Sequence, residues 1–231
     1  WPIFLTKSNP GSDPDRVGWN LLGNPYPCSI DWDLMPNTMI YQAVYVWNGV
    51  QYISWNGSVG ALTNVIIPPM NGFFVKALDY PENKHFRVPL AARVHGNVPF
   101  YKDQPANVLE LKATGSNLTE IRDLSDVTFI HFNNNATQGF DPEFDARKLY
   151  GIEEAPQLFS YADGKELSIN EQPLVPGGVI ELGFTCGESG NFILNAKGLE
   201  SFNNDVRILL EDVKEGIFQN LSDIVQYSFS Y

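Results

Sequence analysis

Three carboxylates, Asp141, Glu143 and Asp145, stand close together in a polar segment shortly after the run Asn133-Asn134-Asn135. Carboxylate and amide oxygens are the ligands that calcium prefers, so this spacing is compatible with a calcium site formed by the three acidic residues. The segment lacks the spacing and the invariant glycine of an EF-hand loop. The alternative, which the sequence favours, is that the carboxylates accept hydrogen bonds from backbone N–H groups of turns or of a short helix.

A second group of residues with chemical potential is aromatic. Asn48-Gly49 is typical of a two-residue type I′ turn, which would pair Trp47 with Val50 and Tyr45 with Tyr52 in a β-hairpin. Side chains alternate between the two faces of a strand, and we predict Tyr45, Trp47 and Tyr52 on one face. Flat aromatic rings held by a hairpin can stack against sugar rings. Because β-sandwiches bury aromatic residues routinely, core packing is the alternative.

Residue patterns that support hydrolysis are scarce in this sequence. The three histidines lie outside any Gly-x-Ser-x-Gly turn or His-Glu-x-x-His helix, and His131 falls in an alternating strand, where a structural role is expected. Adjacent carboxylates in a strand point to opposite faces and do not form a glycosidase pair. Cys28 and Cys186 are expected as two separate buried thiols, with a long-range disulfide as the alternative. We predict no catalytic residues, no enzymatic activity and, apart from the calcium option, no cofactor.

The composition excludes several classes of partner. The 231 residues carry a formal net charge of −12, with 15 Lys and Arg against 27 Asp and Glu. Nucleic acid is excluded because phosphate contacts need clustered basic side chains. No segment approaches the ~20 apolar residues of a membrane helix, so we expect no membrane insertion. The chain opens on Trp1-Pro2 and ends in a predicted strand, and we expect it to be a fragment of a longer polypeptide.

Short alternating stretches separated by Gly, Pro, Asn and Asp predict strands along the whole chain. Asp163-Gly164 predicts a second hairpin turn. All five tryptophans lie in the first quarter of the sequence, and a proline-bounded connector near residues 95–106 separates this region from a part without tryptophan. We predict an all-β fold of two consecutive antiparallel β-sandwich domains, Ig-like or jelly-roll-like, over residues 1–100 and 101–231.

Several segments, taken in order, carry a family resemblance. They are Gly-Trp-Asn-Leu-Leu-Gly-Asn-Pro-Tyr-Pro at 18–27, Tyr-Val-Trp-Asn-Gly-Val-Gln-Tyr at 45–52, Ile-Pro-Pro-Met-Asn-Gly-Phe-Phe-Val-Lys-Ala at 67–77, the acidic run at 135–149 and Leu-Leu-Glu-Asp at 209–212. The chain resembles the C-terminal regions of large secreted and cell-surface proteins of Bacteroidetes, of the kind that precedes a type IX secretion sorting domain. In the first of these segments, we expect Trp19 to be a packing residue.

The resemblance implies an extracellular or outer-surface location and a role in supporting or attaching other modules. We therefore expect a non-catalytic structural or adhesive β-sandwich module of a larger secreted or surface-attached bacterial protein. Its partners would be the neighbouring domains of that protein, and also a glycan or a surface protein. The main alternative is a carbohydrate-binding module that uses Tyr45, Trp47 and Tyr52, and the third possibility is part of a secreted hydrolase.

Overall fold

The computed structural model describes residues 2–7, 16–36, 38–62, 65–78, 85–94, 105–115 and 124–231. The described part up to residue 94, here called the first half, contains the strands β1 Pro2–Phe4, β2 Trp19–Gly23, β3 Ser29–Asp31, β4 Ile40–Trp47, β5 Tyr52–Trp55, β6 Ile66–Ile67, β7 Gly72–Ala77, β8 His85–Arg87 and β9 Arg93–Val94. The part from residue 105, here called the second half, contains β10 Val108–Gly115, β11 Ser125–Phe132, β12 Ala146–Arg147, β13 Gln157–Ala162, β14 Lys165–Gln172, β15 Leu182–Thr185, β16 Asn191–Lys197, β17 Leu209–Asp212, β18 Ile217–Asn220 and β19 Gln226–Ser230.

Helical structure in the described ranges is limited to short 3-10 turns, at Trp32–Leu34, Val65, Leu90–Ala92 and Leu199–Ser201. None of these turns is long and apolar enough to cross a membrane. The prediction of an all-β fold is confirmed.

The first half packs two sheets, together with the antiparallel pair β1–β8, around one core. Its four-stranded antiparallel sheet has the order β2-β7-β4-β5, and a three-stranded sheet has the order β6-β3-β9. The core between them contains Ile30, Trp32, Phe73 and Phe86, all at most 1% exposed. The ring centroid of Trp32 lies 5.5 Å from that of Phe73 and 6.3 Å from that of Phe86. This is the face-to-face packing of a sandwich.

The second half is built on one large sheet in the order β15-β13-β14-β11-β10-β16-β19, with β12 pairing the side of β14. One face of this sheet is apolar and packs against the β17–β18 hairpin and its flanking residues, through side chains that include Leu111, Leu194, Leu210 and Leu221. The pair β11–β14 is parallel, which departs from the predicted purely antiparallel arrangement. A long excursion between these strands, which includes β12 and β13, allows the parallel pairing.

A third apolar cluster joins the two halves. Ala43, Tyr45 and Val59 of the first half pack there with Phe129 and Ile169 of the second half. Because side chains alternate along β4, Val44 and Val46 face the first core while Ala43 and Tyr45 face the second half. The order of layers is therefore small sheet, four-stranded sheet, large sheet and hairpin. The predicted boundary between residues 1–100 and 101–231 lies in segment 95–104, outside the described residues.

The two predicted hairpin turns differ in outcome. At Asp163-Gly164 both residues have positive φ, and Ala162 pairs with Lys165, as a two-residue turn requires. The prediction for Asn48-Gly49 is wrong, because Trp47 pairs with Tyr52 rather than with Val50 and the loop has four residues. Only Gly49 has positive φ there.

Contacts outside the hairpin explain the longer loop. The Asn48 side-chain oxygen accepts hydrogen bonds from the backbone N–H groups of Val50 and Gln51. Gln51 Nε2 then donates to Pro156 O at 2.6 Å, and Val50 O accepts from Ile152 N at 2.9 Å. The second half therefore shapes the turn, and tertiary contacts override the local preference of Asn-Gly.

Candidate binding groove between the two halves

The three residues of the proposed aromatic platform share one face but not one environment. Trp47 is 42% exposed and its ring centroid lies 4.9 Å from that of Tyr52, which is half-buried. Tyr45 is only 2% exposed and belongs to the apolar cluster between the halves. Burial raises the pKa of the Tyr45 phenol above its ordinary value. The surface available for stacking here therefore consists of Trp47 and Tyr52.

A groove opens beside this surface, where the first half meets the second. It comprises two adjoining cavities of about 380 Å³ and about 200 Å³, which share Trp19 and Leu149. The residues that line it are Arg16, Trp19, Tyr52, Phe74, Arg147, Lys148, Leu149, Tyr150, Gly164, Lys165 and Glu166. Volumes of this size are in the range of sites for small ligands. The groove is a candidate binding site of mixed polar and aromatic character.

Strand pairing positions the aromatic end of the groove. Trp19 begins β2, and Phe74 lies in the neighbouring β7. Tyr52 begins β5, the strand at the opposite edge of the same sheet. The ring centroid of Phe74 lies 6.5 Å from that of Trp19 and 5.8 Å from that of Tyr52, both in edge-on geometry. Tyr150 completes this end from the second half. The rings support one another and form a fixed apolar wall.

The other end of the groove is cationic. Arg16, Arg147, Lys148 and Lys165 all line the larger cavity. The Arg147 guanidinium lies 4.5 Å from the ring centroid of Phe140, and the Lys165 ammonium lies 5.8 Å from the same ring. Such cation–π contacts hold the two cations near each other on one side of the cavity.

Two carboxylates reduce this positive charge. Asp126 forms a buried ion pair with the Lys148 ammonium and also accepts from Leu158 N at 2.6 Å. Glu166 accepts from the Tyr150 hydroxyl at 2.8 Å. Burial raises the pKa of Asp126 and lowers that of Lys148, because both charges are removed from water.

The acidic segment serves the backbone in this structure. Asp145 is 1% exposed, and its two carboxylate oxygens accept from Asp141 N at 2.7 Å and Glu171 N at 2.8 Å. Asp141 in turn accepts from Thr137 N at 2.6 Å, and Glu143 is exposed. Within the ranges described, no three His, Cys, Asp or Glu side chains converge as a metal site would require. For Asp141 and Asp145 this is the capping arrangement considered as the alternative.

A buried polar cluster lies behind this segment. Glu171 is 1% exposed and accepts from Asn56 Nδ2 at 2.7 Å and Asn133 Nδ2 at 2.9 Å. His131 Nδ1 lies 3.1 Å from the same carboxylate. Burial, together with the nearby charges of Asp141 and Glu171, raises the pKa of Asp145 to about 7 although two backbone N–H groups oppose the shift. The cluster joins Asn56 of the first half to the second half, and none of its residues lines the groove.

The two cysteines belong to different halves, and both are free thiols. Cys186 Sγ donates to Glu154 O at 3.4 Å. Cys28 and Cys186 are thus separate, as predicted, but each is half-buried rather than buried.

The stacked layers and the groove between them define this chain as an all-β module. Residues 36–231 match the family described as domain of unknown function DUF8693, and the chain belongs to that family. The matched interval begins just before β4 and includes the groove lining except Arg16 and Trp19. Comparison with curated proteins and with solved structures found no match.

Sequence reasoning did not identify the groove. Trp19 was expected only to pack, and although its ring does lie 5.1 Å from Tyr45, it also forms part of the lining. No binding role was predicted for Arg147, Lys148 or Lys165, which also line the groove. Trp19 is far from the three cations in the sequence, so no local motif could bring the two ends of the groove together.

Proposed function

We propose that this chain is a non-catalytic structural or adhesive module of a larger secreted or surface-attached bacterial protein. Such a module spaces, presents or anchors the neighbouring domains of its parent outside the cell or on its outer surface. The observation that best supports this proposal is the apolar cluster between the halves, in which Tyr45 and Ile169 are nearly or fully buried. An apolar interface with buried side chains opposes relative motion of the parts that it joins.

Buried hydrogen bonds add specificity to that interface. Ser54 Oγ and Ser168 Oγ lie 2.9 Å apart, and Asn56 Nδ2 donates to the buried Glu171 carboxylate. A buried polar side chain that loses its hydrogen-bond partner destabilises the folded protein. These bonds therefore favour the one relative placement of the sheets in which all of them form. A fixed placement is what a spacer or presenting module needs.

Mechanical unfolding tests this proposal directly. In a tandem polyprotein pulled by an atomic force microscope, we expect one rupture per repeat that releases the whole chain. Tyr45→Ala should divide this rupture into two steps, because it removes a buried ring from the layer between the halves. Leu21→Ala is the control, since Leu21 is 65% exposed. Two rupture steps in the unmodified chain would contradict the proposal. In a separate assay, hydrolysis of a polysaccharide by the protein would favour the hydrolase alternative.

Carbohydrate binding is the second candidate function. The observation that favours it is the exposed Trp47 ring, held against Tyr52 at the end of a hairpin. Rigid aromatic rings of this kind offer an apolar face to sugars at little entropic cost.

A glycan array followed by tryptophan fluorescence tests this second candidate. A ligand of the Trp47 surface should shift the emission, and Trp47→Ala should abolish its binding. Phe218→Ala is the matched control, because Phe218 is an aromatic residue of β18 that is 66% exposed. Equal loss in both variants would argue against a site at Trp47.

A further inference from the structure

The groove concentrates positive charge in a protein that is acidic overall. Four of the 15 Lys and Arg residues of the chain, Arg16, Arg147, Lys148 and Lys165, line the larger cavity, while the formal net charge is −12. Glu166 on the lining and Asp126 behind Lys148 offset two of these cations. The residues that line the cavity therefore carry more positive than negative formal charge.

Lys165 is the residue best placed to supply charge to a ligand. It begins β14, directly after the Asp163-Gly164 turn, and is half-buried at the cavity. Its ammonium lies near the Phe140 ring and forms no ion pair with any residue in the described ranges. Arg16, which is exposed, contributes to the same cavity from the first half.

The negative net charge of the protein does not cancel the positive potential in the cavity. At physiological ionic strength the Debye length is about 8 Å, so exposed carboxylates elsewhere on the surface are largely screened. A ligand inside a partly enclosed cavity interacts mainly with the charges that line it. The cationic groove can therefore attract an anion despite the negative net charge.

The aromatic end of the groove restricts the class of anion. Trp19 and Leu149 belong to both cavities, so the cationic end continues directly into the apolar wall of Tyr52, Phe74 and Tyr150. A ligand that fits both ends carries a negative group next to a ring with an apolar face. A sugar ring with a carboxylate substituent has both features, whereas an acidic peptide lacks the ring.

We infer that this groove binds an acidic oligosaccharide, with a uronic-acid carboxylate near Arg16 and Lys165 and a sugar ring against Trp19 and the aromatic wall. The inference rests on the second candidate function, sugar binding, and it places the site in the groove rather than on the exposed Trp47 surface. Arg147 and Lys148 hold the positive potential of the cavity, and Glu166 keeps Tyr150 in place through its hydrogen bond.

Calorimetric titration with a tetramer of galacturonic acid tests the inference, with its methyl ester as the matched neutral ligand. We expect the acid to bind and the ester to bind at least about tenfold more weakly, because each charge-assisted contact is lost. Affinity for the acid should also fall as sodium chloride is raised. Arg16→Gln/Lys165→Gln should weaken binding of the acid by about tenfold or more.

The control variant is Lys197→Gln/Lys214→Gln, which removes the same charge from exposed positions outside the groove and should bind the acid as the unmodified protein does. Trp47→Ala distinguishes the groove from the Trp47 surface, because Trp47 is not part of the groove lining. Equal binding of acid and ester, loss only in Trp47→Ala, or equal binding of a tetraglutamate peptide would each overturn the inference. The first two outcomes would leave sugar binding itself in place. If neither tetramer binds, the inference is wrong. The proposed structural role is tested separately by mechanical unfolding and does not depend on that result.

Discussion

Asp145 is a buried carboxylate whose protonation is coupled to folding. Its pKa is about 7 in the folded protein, against an ordinary value of 3.8. Between these pH values the folded protein retains a proton that the unfolded chain has released. Its contribution to stability is therefore fully present below about pH 3.8 and is lost as the pH rises through 7.

We expect Asp145→Asn to flatten the dependence of stability on pH. The free energy of unfolding of the unmodified protein should fall between pH 4 and pH 7 by on the order of 3 kcal/mol more than that of the variant. Urea denaturation at several pH values measures this difference. The exposed Asp205→Asn serves as control and should keep the original slope. Identical slopes for Asp145→Asn and the unmodified protein would show that the raised pKa of Asp145 does not cause the pH dependence of stability.

The buried Asp126–Lys148 ion pair also affects the stability of the folded protein. Both side chains are at most 5% exposed, and the opposed pKa shifts of the two groups arise from the same desolvation. Lys148→Met leaves the Asp126 carboxylate buried without its cation, and we expect a loss of about 3 kcal/mol in unfolding free energy.

A double-mutant cycle separates the pair from its surroundings. Asp126→Leu/Lys148→Met should recover part of the loss, because two apolar side chains replace two buried charges. The Leu158 N–H, which donates to Asp126, keeps the recovery incomplete. Additive effects of the two single substitutions in thermal or urea unfolding would show that the pair is not coupled.

At the scale of elements, the connection from β12 to β13 fastens the second half to the first. Ile152 N donates to Val50 O at 2.9 Å, and Gly151 N donates to the side-chain oxygen of Gln157 at 2.9 Å. A Cβ atom on Gly151 would overlap the Gln51 side chain and the Val50 carbonyl. Glycine is required at position 151 for close approach rather than for an unusual φ.

Gly151→Ala should therefore destabilise the protein by about 1 to 3 kcal/mol, since the added methyl group pushes the connection away from the first half. Gly190→Ala is the matched control, because a Cβ there meets no atom within 4 Å. Denaturant titration compares the two variants. If Gly151→Ala is as stable as the control, the close approach of residue 151 to Val50 and Gln51 does not require glycine.

The acidic loop before β12 is expected to be independent of calcium. The oxygens of Asp141 and Asp145 already accept backbone N–H groups, so an ion would have to replace these hydrogen bonds. We expect the melting temperature to stay the same when calcium is added. A rise that disappears in Asp141→Ala/Asp145→Ala would instead establish a calcium site.

Local sequence predicted elements well where neighbours in the chain decide the geometry. Asp163-Gly164 forms its two-residue turn because both residues can adopt positive φ and the flanking strands pair without interference. Asn48-Gly49 carries the same signal, yet Gln51 and Val50 bond to the second half and lengthen the loop. The signal for that change lies about a hundred residues away, in the segment around Ile152 and Pro156.

At the scale of the molecule, the sheets form a stack in which the four-stranded and the large sheet share an apolar layer. The all-β character follows from alternation and turn residues, which are local. The groove does not, because Trp19 of the first half meets Arg147 and Lys165 of the second half only when the halves are stacked. No pattern in either half alone indicates which exposed side chains will line it.

We expect the two halves to unfold together in urea. Tryptophan emission reports the first half, since all five tryptophans lie there in the sequence, and a dye on Cys186 in a Cys28→Ser background reports the second. The two midpoints should coincide in the otherwise unmodified protein and separate in Tyr45→Ala. Separate midpoints without Tyr45→Ala would show that the layer between the halves does not couple them.

The shared layer also has a consequence for synthesis. The face formed by Ala43, Tyr45 and Phe74 is complete early in translation, but its cover includes Phe129 and Ile169. At ~5–20 residues per second, a ribosome needs on the order of 5–20 s to add residues 75–169. For that interval the nascent first half presents an apolar surface to whatever is nearby. A chaperone, or export in an unfolded state, would protect this chain at the moment when it is most prone to aggregate.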